Sequence, residues 1–333
     1  MSRSCVVAVD AMGGDRAPEE IVAGALAAAE QLDVGVLLVG TKDDLAPLLP
    51  NGSPPEGVEI QSSTEVIAMH DEPASSVRTK KDSSIVQCAR AVQEGRAQAM
   101  VGAGNTGATM AAALLRIGRL KGVKRPAIAV PVPTPGRRPQ LLVDGGAAVD
   151  CAPEWLVQFA RLGRRYSKIR WGIDDPRVGL LSNGEEAGKG DQLRKDTFAL
   201  LEHEPGFVGN VEGRDFFTDN VDVVVTDGFT GNVVLKTIEG ALRSFSGAIL
   251  GALESSDETK RASEVVMGPL LDAAAPFVPD NTGGAVLLGV EGVCVISHGS
   301  SSSTAIVNAV RVASEAVAAD TVGQLKEALV DAG

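Results

Sequence analysis

Short aliphatic runs alternate along almost the whole chain with longer segments whose apolar residues recur at helical spacing. Uninterrupted apolar runs are typical of strands buried on both faces of a parallel sheet, and such strands need helical crossovers. The pattern predicts an α/β fold, a mostly parallel sheet covered by helices in three layers, with residues 1–333 forming a single unit of two closely packed lobes. The predicted strands are Cys5–Val9, Val34–Val39, Ala97–Val101, Ala127–Val132, Leu141–Val143, Val178–Leu181, Val221–Thr226, Ala285–Leu288 and Val293–Ser297. The predicted helices are Pro18–Gln31, Ser83–Glu94, Gly107–Leu120, Pro153–Arg164, Gln192–Glu202, Asn232–Leu253, Ala262–Ala274, Thr304–Ala318 and Val322–Val330.

Several of the predicted strands end in a loop of Gly, Asn or Ser that opens a helix. In a parallel sheet such loops gather at the carboxyl edge, where the N-termini of helices present free N–H groups to anions. We therefore expect the functional site at that edge. The proline-rich stretch Pro131–Pro139 predicts a turn or a crossover.

The first strand leads into a loop in which Gly13 and Gly14 lie between Asp10 and Asp15. This is not the dinucleotide fingerprint G-x-G-x-x-G, and two carboxylates would repel a pyrophosphate. A nicotinamide cofactor is therefore disfavoured, and we expect no cofactor and no metal. The loop is interpreted either as a tight turn or, preferably, as a wall of donors whose carboxylates orient other side chains.

The loop Gly102–Gly107 follows a second predicted strand and precedes an Ala-rich helix. No acidic residue occurs between Gly95 and Val143, so little negative charge would compete with an anion here. Asn105, Thr106 and the first N–H groups of the helix can bind a small oxyanion, and the glycines allow the backbone to come close to it. Packing of these glycines between helix and sheet is the alternative interpretation.

A cationic cluster precedes the helix predicted at Ser83–Glu94. Lys80 and Lys81 stand directly before its N-terminus, where Asp82 or Ser83 is the expected cap. Positive side chains and helical N–H groups both attract phosphate, so the cluster is a candidate anion site. Taken alone, a run of this kind is more often solvated surface.

The loop Ser182–Gly190 looks superficially like the phosphate-binding loop of nucleoside triphosphatases. Its glycine spacing is one residue short, Gly190 replaces the hydroxyl residue that would hold magnesium, and the loop carries two glutamates. It is therefore not a nucleotide site. Asn183 and Lys189 can still bind a small anion or a carbonyl oxygen, with Glu185 orienting the lysine.

Two further strand ends carry candidate side chains. Asp227 follows one strand, Asn232 is a good N-cap for the next helix, and Lys236 stands about one turn inside that helix. His298 follows the last strand and is followed closely by Ser300. Of the three histidines, it alone lies at a predicted strand end beside a donor-rich loop.

Charge narrows the choice of partners. The 333 residues include 31 Lys or Arg and 43 Asp or Glu, a net charge of −12, which argues against nucleic acid as a partner. The segment 95–173 nevertheless carries 13 basic residues against three acidic ones. Such a segment can steer an acidic partner onto one patch, although it can equally be a solvated surface that happens to be basic.

Cysteine usage and apolar runs bear on the compartment. The four cysteines are far apart and the N-terminus has no signal-peptide pattern, so we expect a cytoplasmic, reducing compartment. No apolar run reaches the length of a membrane span. The stretch 232–278 has apolar positions at helical spacing and predicts a helical hairpin, interpreted first as a dimer interface or part of the core.

A series of segments occurs in this order along the chain: V-D-A-M-G-G-D-x-A-P, E-V-I-x-M-x-D-E-P, K-K-D-S-S-I, A-G-N-T-G-A, R-P-A-I, G-L-L-S-N-G-E-E-x-G-K-G, G-N-V-E-G-R-D, T-D-G-F-T-G-N-V-V-L-K and H-G-S-S. Together they closely resemble the phosphate acyltransferase family (PlsX). The resemblance implies a fold similar to that of isocitrate dehydrogenases and phosphate acetyltransferases. It also implies transfer of a fatty acyl group from acyl carrier protein to inorganic phosphate, which gives acyl phosphate for phospholipid synthesis.

The resemblance carries expectations about assembly as well. Members of that family are homodimers, cytoplasmic or peripheral on the inner face of the cell membrane, and they hand their product to a glycerol-3-phosphate acyltransferase. The hairpin at 232–278 would then touch the membrane at its tip. Because acyl carrier protein is acidic, the basic segment 95–173 is its expected docking surface, with Arg164 and Arg165 as test positions.

Expected roles follow from the chemistry of a thioester attacked by phosphate, which needs positioning, oxyanion donors and help for the departing thiolate. The expected phosphate ligands are Asn105, Thr106, Lys80 and Lys81. The expected oxyanion donors are Asn183 and Lys189, and the groups expected to assist the thiolate are His298 and Lys236. The other expected substrate-binding positions are Asp10, Gly13, Gly14, Ser83, Glu185, Asp227, Asn232 and Ser300.

One position departs from the family pattern, because Ala148 stands where the family usually has Asn. No catalytic role is therefore assigned to it. Three other readings remain open: a phosphate acetyltransferase-type enzyme that uses acyl-coenzyme A, a metal-dependent hydroxyacid dehydrogenase, and a non-catalytic scaffold of lipid synthesis. Phosphate-dependent release of a thiol separates the first of these from the other two.

Overall fold

A computed structural model describes residues 5–330, and the strands of this part of the chain form one eleven-stranded sheet. Across the sheet the strands are arranged in the order β3-β2-β1-β4-β11-β10-β5-β6-β9-β7-β8. In chain order they are β1 (Val6–Asp10), β2 (Gly35–Gly40), β3 (Val58–Ser62), β4 (Ala99–Gly102), β5 (Ala127–Val132), β6 (Gln140–Val143), β7 (Val178–Leu181), β8 (Phe207–Val211), β9 (Val223–Val225), β10 (Ala285–Leu288) and β11 (Val293–Ile296).

Helices connect most of these strands. They are α1 (Glu19–Gln31), α2 (Lys42–Leu45), α3 (Pro73–Thr79), α4 (Ser84–Gln93), α5 (Thr106–Ala112), α6 (Pro153–Trp171), α7 (Gln192–Leu201), α8 (Gly228–Leu253), α9 (Asp257–Ala274), α10 (Pro279–Thr282), α11 (Ser303–Ala318) and α12 (Thr321–Val330). Helix α5 continues as a π-helical stretch, Ala113–Ile117. Short 3-10 turns are formed by Ala46–Leu48, Pro50–Gly52, Gly213–Asp215 and Ala275–Phe277.

The sheet consists of two parallel halves that run in opposite directions. Strands β3, β2, β1, β4 and β11 are parallel to their neighbours, and so are β6, β9, β7 and β8. Between the halves, β10 is antiparallel to β11 and to β5, and β5 is antiparallel to β6. The prediction of a mostly parallel sheet is confirmed, but three reversals of direction separate its halves.

Helices cover both faces of the sheet, as the alternation of strand side chains shows. In β9, Val223 and Val225 belong to the same core cluster as Leu156 and Phe159 of α6, whereas Val224 lies on the other face in a cluster with Ile238 of α8. Helices α1, α6, α7, α11 and α12 lie on the first face, and α4, α5 and the early turns of α8 on the second. The predicted α/β architecture is thereby confirmed.

The pattern misses two strands and three helices, α2, α3 and α10. Strands β3 and β8 lie at the two edges of the sheet and read V-E-I-Q-S and F-V-G-N-V, so their polar residues and glycine hide the apolar run. Helix α3 has only seven residues and α2 and α10 have four each, too few for a helical period to be recognised. The proline-rich stretch is a turn, because β5 continues through Pro131 to Val132 and returns as antiparallel β6.

Helices α8 and α9 form a hairpin that protrudes from the body of the protein. In α8 only Gly228 and Gly231 are buried, and no residue of α9 is. Its large exposed apolar side chains are Phe229, Val233, Phe245, Leu250, Val265, Val266 and Leu271. Among the residues that the structure describes, no helix is both long enough and apolar enough to cross a membrane.

Candidate active site

The expectation that all the polar loops gather at one carboxyl edge, meaning one end of the strands, is wrong. The loops after β1, β4 and β11 lie at one edge and form the first loop set. The loops after β6, β9 and β7 lie at the opposite edge and form the second loop set, because the reversals at β10 and β5 turn the second half of the sheet around. A carboxyl edge is shared only by strands that are parallel.

The first loop set is packed backbone against backbone. A Cβ placed on Gly13 would lie 3.0 Å from Cα of Gly104, and a Cβ on Gly104 would lie 2.9 Å from Cα of Gly13. The N–H of Asp15 donates to the carbonyl oxygen of Gly299 at 2.7 Å. Gly13 and Gly14, expected to bind substrate, therefore hold the three loops together, and glycine is required there for close approach.

His298 and Lys236 meet beside this set. The N–H of Ser300 donates to Nδ1 of His298 at 3.2 Å, and the Ser300 hydroxyl lies 2.8 Å from the same nitrogen. Because Nδ1 accepts, the proton of the neutral ring is on Nε2. Nε2 lies 3.4 Å from Nζ of Lys236 at the exposed surface of this site, and Lys236 is also paired with Glu239 at 2.8 Å. In this tautomer both nitrogens carry a proton that they can donate to a third group. An anion placed between the two donors would accept from both.

Asn105 is not free to bind phosphate, contrary to expectation. Its amide nitrogen lies 3.0–3.4 Å from the carbonyl oxygens of Ala68, Met69 and Asp71, and its side-chain oxygen accepts from the N–H of Ala108 at 3.0 Å. The residue caps α5 and ties the preceding segment to it. What this loop offers an anion is the first turn of α5, where the N–H groups of Thr106 and the next residue have no partner within the helix.

Two of the expected substrate-binding residues on the 80–83 segment, Lys80 and Ser83, are also corrected. Nζ of Lys80 is paired with Asp71 at 2.6 Å and donates to the carbonyl of Val66 at 2.9 Å. That hydrogen bond from Lys80 lowers the pKa of Asp71. Ser83 is fully buried at the start of α4, where no substrate can reach it, because its backbone bridges to Glu65 next to β3. Lys81 is exposed and remains a candidate.

Asp10 lies at the end of β1 and stabilises the loop that follows this strand. It is 4% exposed, and its carboxylate accepts from the N–H of Met12 at 3.2 Å. Burial raises the pKa of Asp10 to about 6, against the opposing effect of its hydrogen bonds with Ser84 and Met12. The side chain therefore shapes the backbone of its own loop and does not face substrate.

Replacing Asp10 with Asn should raise the free energy of unfolding at pH 7.5 but not at pH 4. The folded protein keeps the Asp10 proton up to pH about 6, whereas the unfolded chain releases it near 4, so ionisation destabilises the wild type progressively between these values. A shift of about two pKa units corresponds to about 3 kcal/mol. Urea unfolding at both pH values measures the effect, with the exposed Asp15→Asn as control; an Asp10→Asn gain that is equal at both pH values would contradict it.

In the second loop set, Asn183 closes the loop after β7. Its side-chain oxygen accepts from the N–H of Gly190 at 2.9 Å, which leaves its NH₂ group as a donor. Lys189 is exposed, and its aliphatic stem lies against Gly184. Glu185 does not orient this lysine as expected, because it is paired with Arg214 at 2.8 Å. The partner of Glu185 is therefore an arginine 29 residues away in sequence and not the lysine of its own loop.

The helix after β9 begins earlier than predicted. The cap of α8 is Asp227, whose carboxylate accepts from the N–H of Thr230 at 2.9 Å, so Asn232 lies inside the first turns as an exposed residue near Gly146. Asp227 does not face substrate either, since Arg194 of α7 forms a buried ion pair with it. Burial would raise the pKa of Asp227, but hydrogen bonds from Thr230 and the charge of Arg194 outweigh it and lower the pKa.

Two residues that hold the second loop set together, Arg194 and Asp144, belong to no recognisable sequence motif. Arg194 joins Asp227, Thr226 and Thr230 at the start of α8 to Asp191 at the start of α7. A single arginine inside a helical pattern gives no signal.

The second missed residue is Asp144, which organises the loop after β6. Its buried carboxylate accepts from the N–H groups of Ile128, Gly146, Ala147 and Ala148 at 2.7–3.0 Å. Burial raises its pKa against the effect of these four donors. At Ala148, the residue that departs from the family pattern, both backbone groups are used, because its carbonyl accepts from the N–H of Gly228 at 2.7 Å. The main chain at this position keeps its structural role without the Asn side chain.

The first turns of α8 connect the two loop sets. The helix starts at Gly228 in the second set and reaches His298 of the first set at Lys236, about 12 Å further along its axis. Asn232 lies between these two points. The arrangement places cationic and N–H donors at both ends of one short helical segment, so one extended substrate can contact both sets.

The architecture is that of the phosphotransacylases. The structure superposes on a phosphotransacetylase from Streptococcus pyogenes with a TM-score of 0.62, covering 96% of this chain and 94% of the other at 15% identity. It superposes on a branched-chain phosphotransacylase from Enterococcus faecalis with a TM-score of 0.60, covering 94% and 99% at 15% identity. At this identity the likeness concerns the fold.

The sequence relationship is much closer. Residues 5–324 match the family model described as "Fatty acid synthesis protein". The chain is 47% identical to a phosphate acyltransferase of Desulfitobacterium hafniense over 325 residues, 97% of each chain, and 47% identical to one of Halothermothrix orenii over 327 residues, 96% of this chain and 97% of the other. It is an acyltransferase and belongs to the phosphate acyltransferase (PlsX) family.

Proposed function

We propose that this protein transfers a fatty acyl group from acyl carrier protein to inorganic phosphate and thereby supplies acyl phosphate for phospholipid synthesis. Membership of the family supports acyl transfer to phosphate. The observation that carries the site assignment is the pair formed by Lys236 and His298, whose nitrogens lie 3.4 Å apart beside the first loop set. Such a pair is suited to an anion and to a developing negative charge.

The reaction needs little acid–base help at its first step. A phosphate oxygen is already anionic at neutral pH and attacks the thioester carbonyl carbon; the new C–O bond forms while the C–S bond breaks. The leaving thiolate belongs to a thiol with a pKa of about 8.5. The ammonium group of Lys236 donates a proton to it, and the Nε2–H of His298 donates a hydrogen bond. Phosphate is held by the N–H groups at the start of α5, with Thr106 and Lys81 beside them.

The second loop set supplies the oxyanion donors in this proposal. The free NH₂ group of Asn183 and the ammonium group of Lys189 are exposed and carry no carboxylate partner among the described ion pairs. They stabilise the charge that develops on the carbonyl oxygen, which requires the long Lys189 side chain to extend along the first turns of α8 towards Lys236, about 12 Å from the start of that helix. Asn232, between the two sets, contacts the pantetheine arm of the acyl donor.

A covalent acyl-enzyme is not part of the proposal. Cys88 and Cys294 are fully buried, and burial raises the pKa of both thiols. Burial also raises the pKa of Cys151 to about 12, so this thiol stays protonated at neutral pH. Direct attack by phosphate requires none of them.

One assay tests the function and separates the alternatives. The protein is incubated with long-chain acyl carrier protein or with acetyl-coenzyme A, with and without phosphate, and thiol release is followed. We expect phosphate-dependent release from the acyl carrier protein. Release from acetyl-coenzyme A alone would favour the phosphate acetyltransferase alternative, and no release from either would favour the scaffold. Acyl label retained on the protein would contradict direct transfer.

Replacing Lys189 with Ala should lower kcat by about tenfold, because an exposed lysine supplies less than a buried oxyanion donor. The melting temperature should not change, since the side chain is exposed. Steady-state kinetics and thermal unfolding measure the two effects. The exposed Lys195→Ala on α7 is the matched control, and a kcat of Lys189→Ala equal to that of this control removes Lys189 from the mechanism.

We propose a docking surface for the carrier protein that is smaller than the whole basic segment 95–173. Arg164 and Arg165 belong to α6, which lies on the face of the sheet opposite α8 and therefore away from the path proposed for the acyl donor. The exposed basic residues Arg119, Lys121, Lys124 and Arg125 follow α5. A backbone bridge joins Arg119 to Val290, which comes just after the C-terminal end of β10, so this segment lies at the same end of the strands as the second loop set. We place docking on this patch of residues 119–125.

Charge reversal tests this docking patch. The double change Arg119→Glu and Lys121→Glu should raise the KM for acyl carrier protein by about tenfold and leave the KM for phosphate unchanged, since the patch would contact only the carrier. Initial-rate kinetics with each substrate varied in turn gives both constants. Lys42→Glu, an exposed change on α2, is the control, and equal effects of the two proteins on the carrier KM would place docking elsewhere.

The hairpin of α8 and α9 is proposed to join two copies of the chain. Its apolar side chains, Phe245 and Val265 among them, are exposed in the single chain, and an exposed patch of this kind marks an interaction surface. Contact of its tip with a membrane would let the product pass to a glycerol-3-phosphate acyltransferase. Mass measurement in solution tests the dimer contact, and sedimentation with vesicles tests the membrane contact. A monomer that does not sediment with vesicles would contradict both.

A further inference from the structure

A separate cavity of about 380 Å³ opens on the face of the sheet opposite α8. It lies between α6, α7 and α12 and the amino-terminal ends of β7 and β8, and it includes no residue of either loop set. Its volume is in the range of sites for small organic ligands. Nothing in the proposed reaction uses it.

The cavity has an apolar floor and a cationic rim. The floor would take a hydrocarbon group, because it offers aliphatic and aromatic carbon and no charge. The floor is made of Ala160, Pro176, Val178, Leu201, Phe207 and Ala328. The rim carries four cations and two acids: Arg161, Arg164, Arg165, Lys168, Asp174 and Glu204.

The positive charges on this rim are only partly neutralised by carboxylates of the protein itself. Arg161 is satisfied by a two-point pair with Glu204 at 2.5 and 2.9 Å. Arg164 relies on Asp175, which is 76% exposed, and Arg165 on Glu327, which is 71% exposed and 3.6 Å away. Exposed pairs of this kind contribute little, so an anion in the cavity can replace these carboxylates.

The groups of the rim that a ligand can reach are its terminal nitrogens. The Nε atoms of Arg164 and Arg165 are shielded from solvent, and that of Arg164 packs against Gly206, so an anion in the cavity would meet the ends of the two guanidinium groups. Lys168 donates only to a backbone carbonyl, that of Asp174, at 3.1 Å. Guanidinium and ammonium groups beside a closed apolar floor are suited to an anionic head that carries a hydrocarbon tail.

We propose that this cavity is an accessory binding site for a small amphiphilic anion, a phosphate or carboxylate head with an alkyl or acyl tail of medium length. The head pairs with Arg164, Arg165 and Lys168, and the tail lies against Phe207 and Ala328. Inorganic phosphate lacks the tail and a fatty alcohol lacks the charge, so each binds more weakly. The proposal does not depend on the identity of the acyl donor.

Titration calorimetry of the full-length protein with octyl phosphate tests the site, with octanol and inorganic phosphate as half-ligands. Ala328→Trp fills the floor and Lys168→Gln removes a rim charge; each should weaken octyl phosphate binding by about tenfold. Lys195→Gln, outside the cavity, should leave it unchanged. The variant Lys236→Gln should also retain this binding event, which distinguishes the cavity from the candidate active site.

The outcomes are decisive in both directions. Weaker binding in both cavity variants, with unchanged melting temperatures, supports the site. Unchanged binding in both variants, or loss of binding only in Lys236→Gln, would overturn it, as would octanol binding as tightly as octyl phosphate. If Ala328→Trp lowers the melting temperature, Lys168→Gln decides, because this partly exposed side chain makes a single hydrogen bond to a carbonyl.

Discussion

Replacing Lys236 with Gln should lower kcat by about a hundredfold while the free energy of unfolding changes by less than about 0.5 kcal/mol. Removing one preorganised donor from a developing negative charge typically costs two to three orders of magnitude in rate. The side chain is half exposed and its pair with Glu239 lies at the surface, so stability depends little on it. Single-turnover kinetics and urea unfolding measure the two quantities.

The controls for Lys236 separate donation from simple charge. Lys236→Arg keeps the positive charge but not the position of Nζ relative to Nε2 of His298, so it should recover only part of the rate. Arg243→Gln removes an exposed charge about two turns further along α8 and should leave kcat unchanged. If Lys236→Gln and Arg243→Gln have the same kcat, the donor pair is not part of the reaction.

Replacing Arg194 with Met should lower the free energy of unfolding by about 3–5 kcal/mol. The side chain is 10% exposed and that of its partner Asp227 is 7% exposed, so the variant leaves a carboxylate buried without its cation. The contribution of the Asp227 carboxylate is present above its unfolded pKa of about 3.8 and is lost as the pH falls through its lowered folded pKa. Chemical unfolding between pH 3 and pH 7 therefore gives the size of the effect and its pH dependence.

Two matched variants test whether the ion pair is the cause. Arg194→Met combined with Asp227→Asn should recover much of the lost stability, because the orphaned charge is removed. Arg214→Met breaks exposed pairs with Glu185 and Glu212 and should change the free energy of unfolding far less than Arg194→Met does. A double variant no more stable than Arg194→Met alone would show that the arginine acts by packing.

The central strands were predictable because burial on both faces leaves a continuous apolar run. β1, β4 and β11 are of this kind, and each was recognised from its own residues. The edge strands β3 and β8 were missed because one side of each meets no further strand, which permits polar residues and glycine. The capping residue of α8 was misplaced because Asp227 and Asn232 are both good caps and only backbone geometry distinguishes them.

Individual site residues were recognisable, but their availability was not. Lys80, Asn105 and Glu185 each lie in a loop that suits anion chemistry, yet Asp71, the carbonyls of 68–71 and Arg214 occupy them. These partners are up to 37 residues away in sequence, and nothing in the local pattern indicates them. The meeting of Lys236 with His298, 62 residues apart, likewise follows only from packing.

The amino-acid sequence by itself determined the α/β class, most of the strands and helices, and membership of the acyltransferase family, because these depend on local periodicity and on ordered motifs. The tertiary structure alone decided that the polar loops form two sets at opposite edges, which α8 connects. The physical reason is that strand direction is set by pairing between distant segments: β10 and β5 enter the sheet reversed, and no local run of residues encodes the neighbour beside which it will lie.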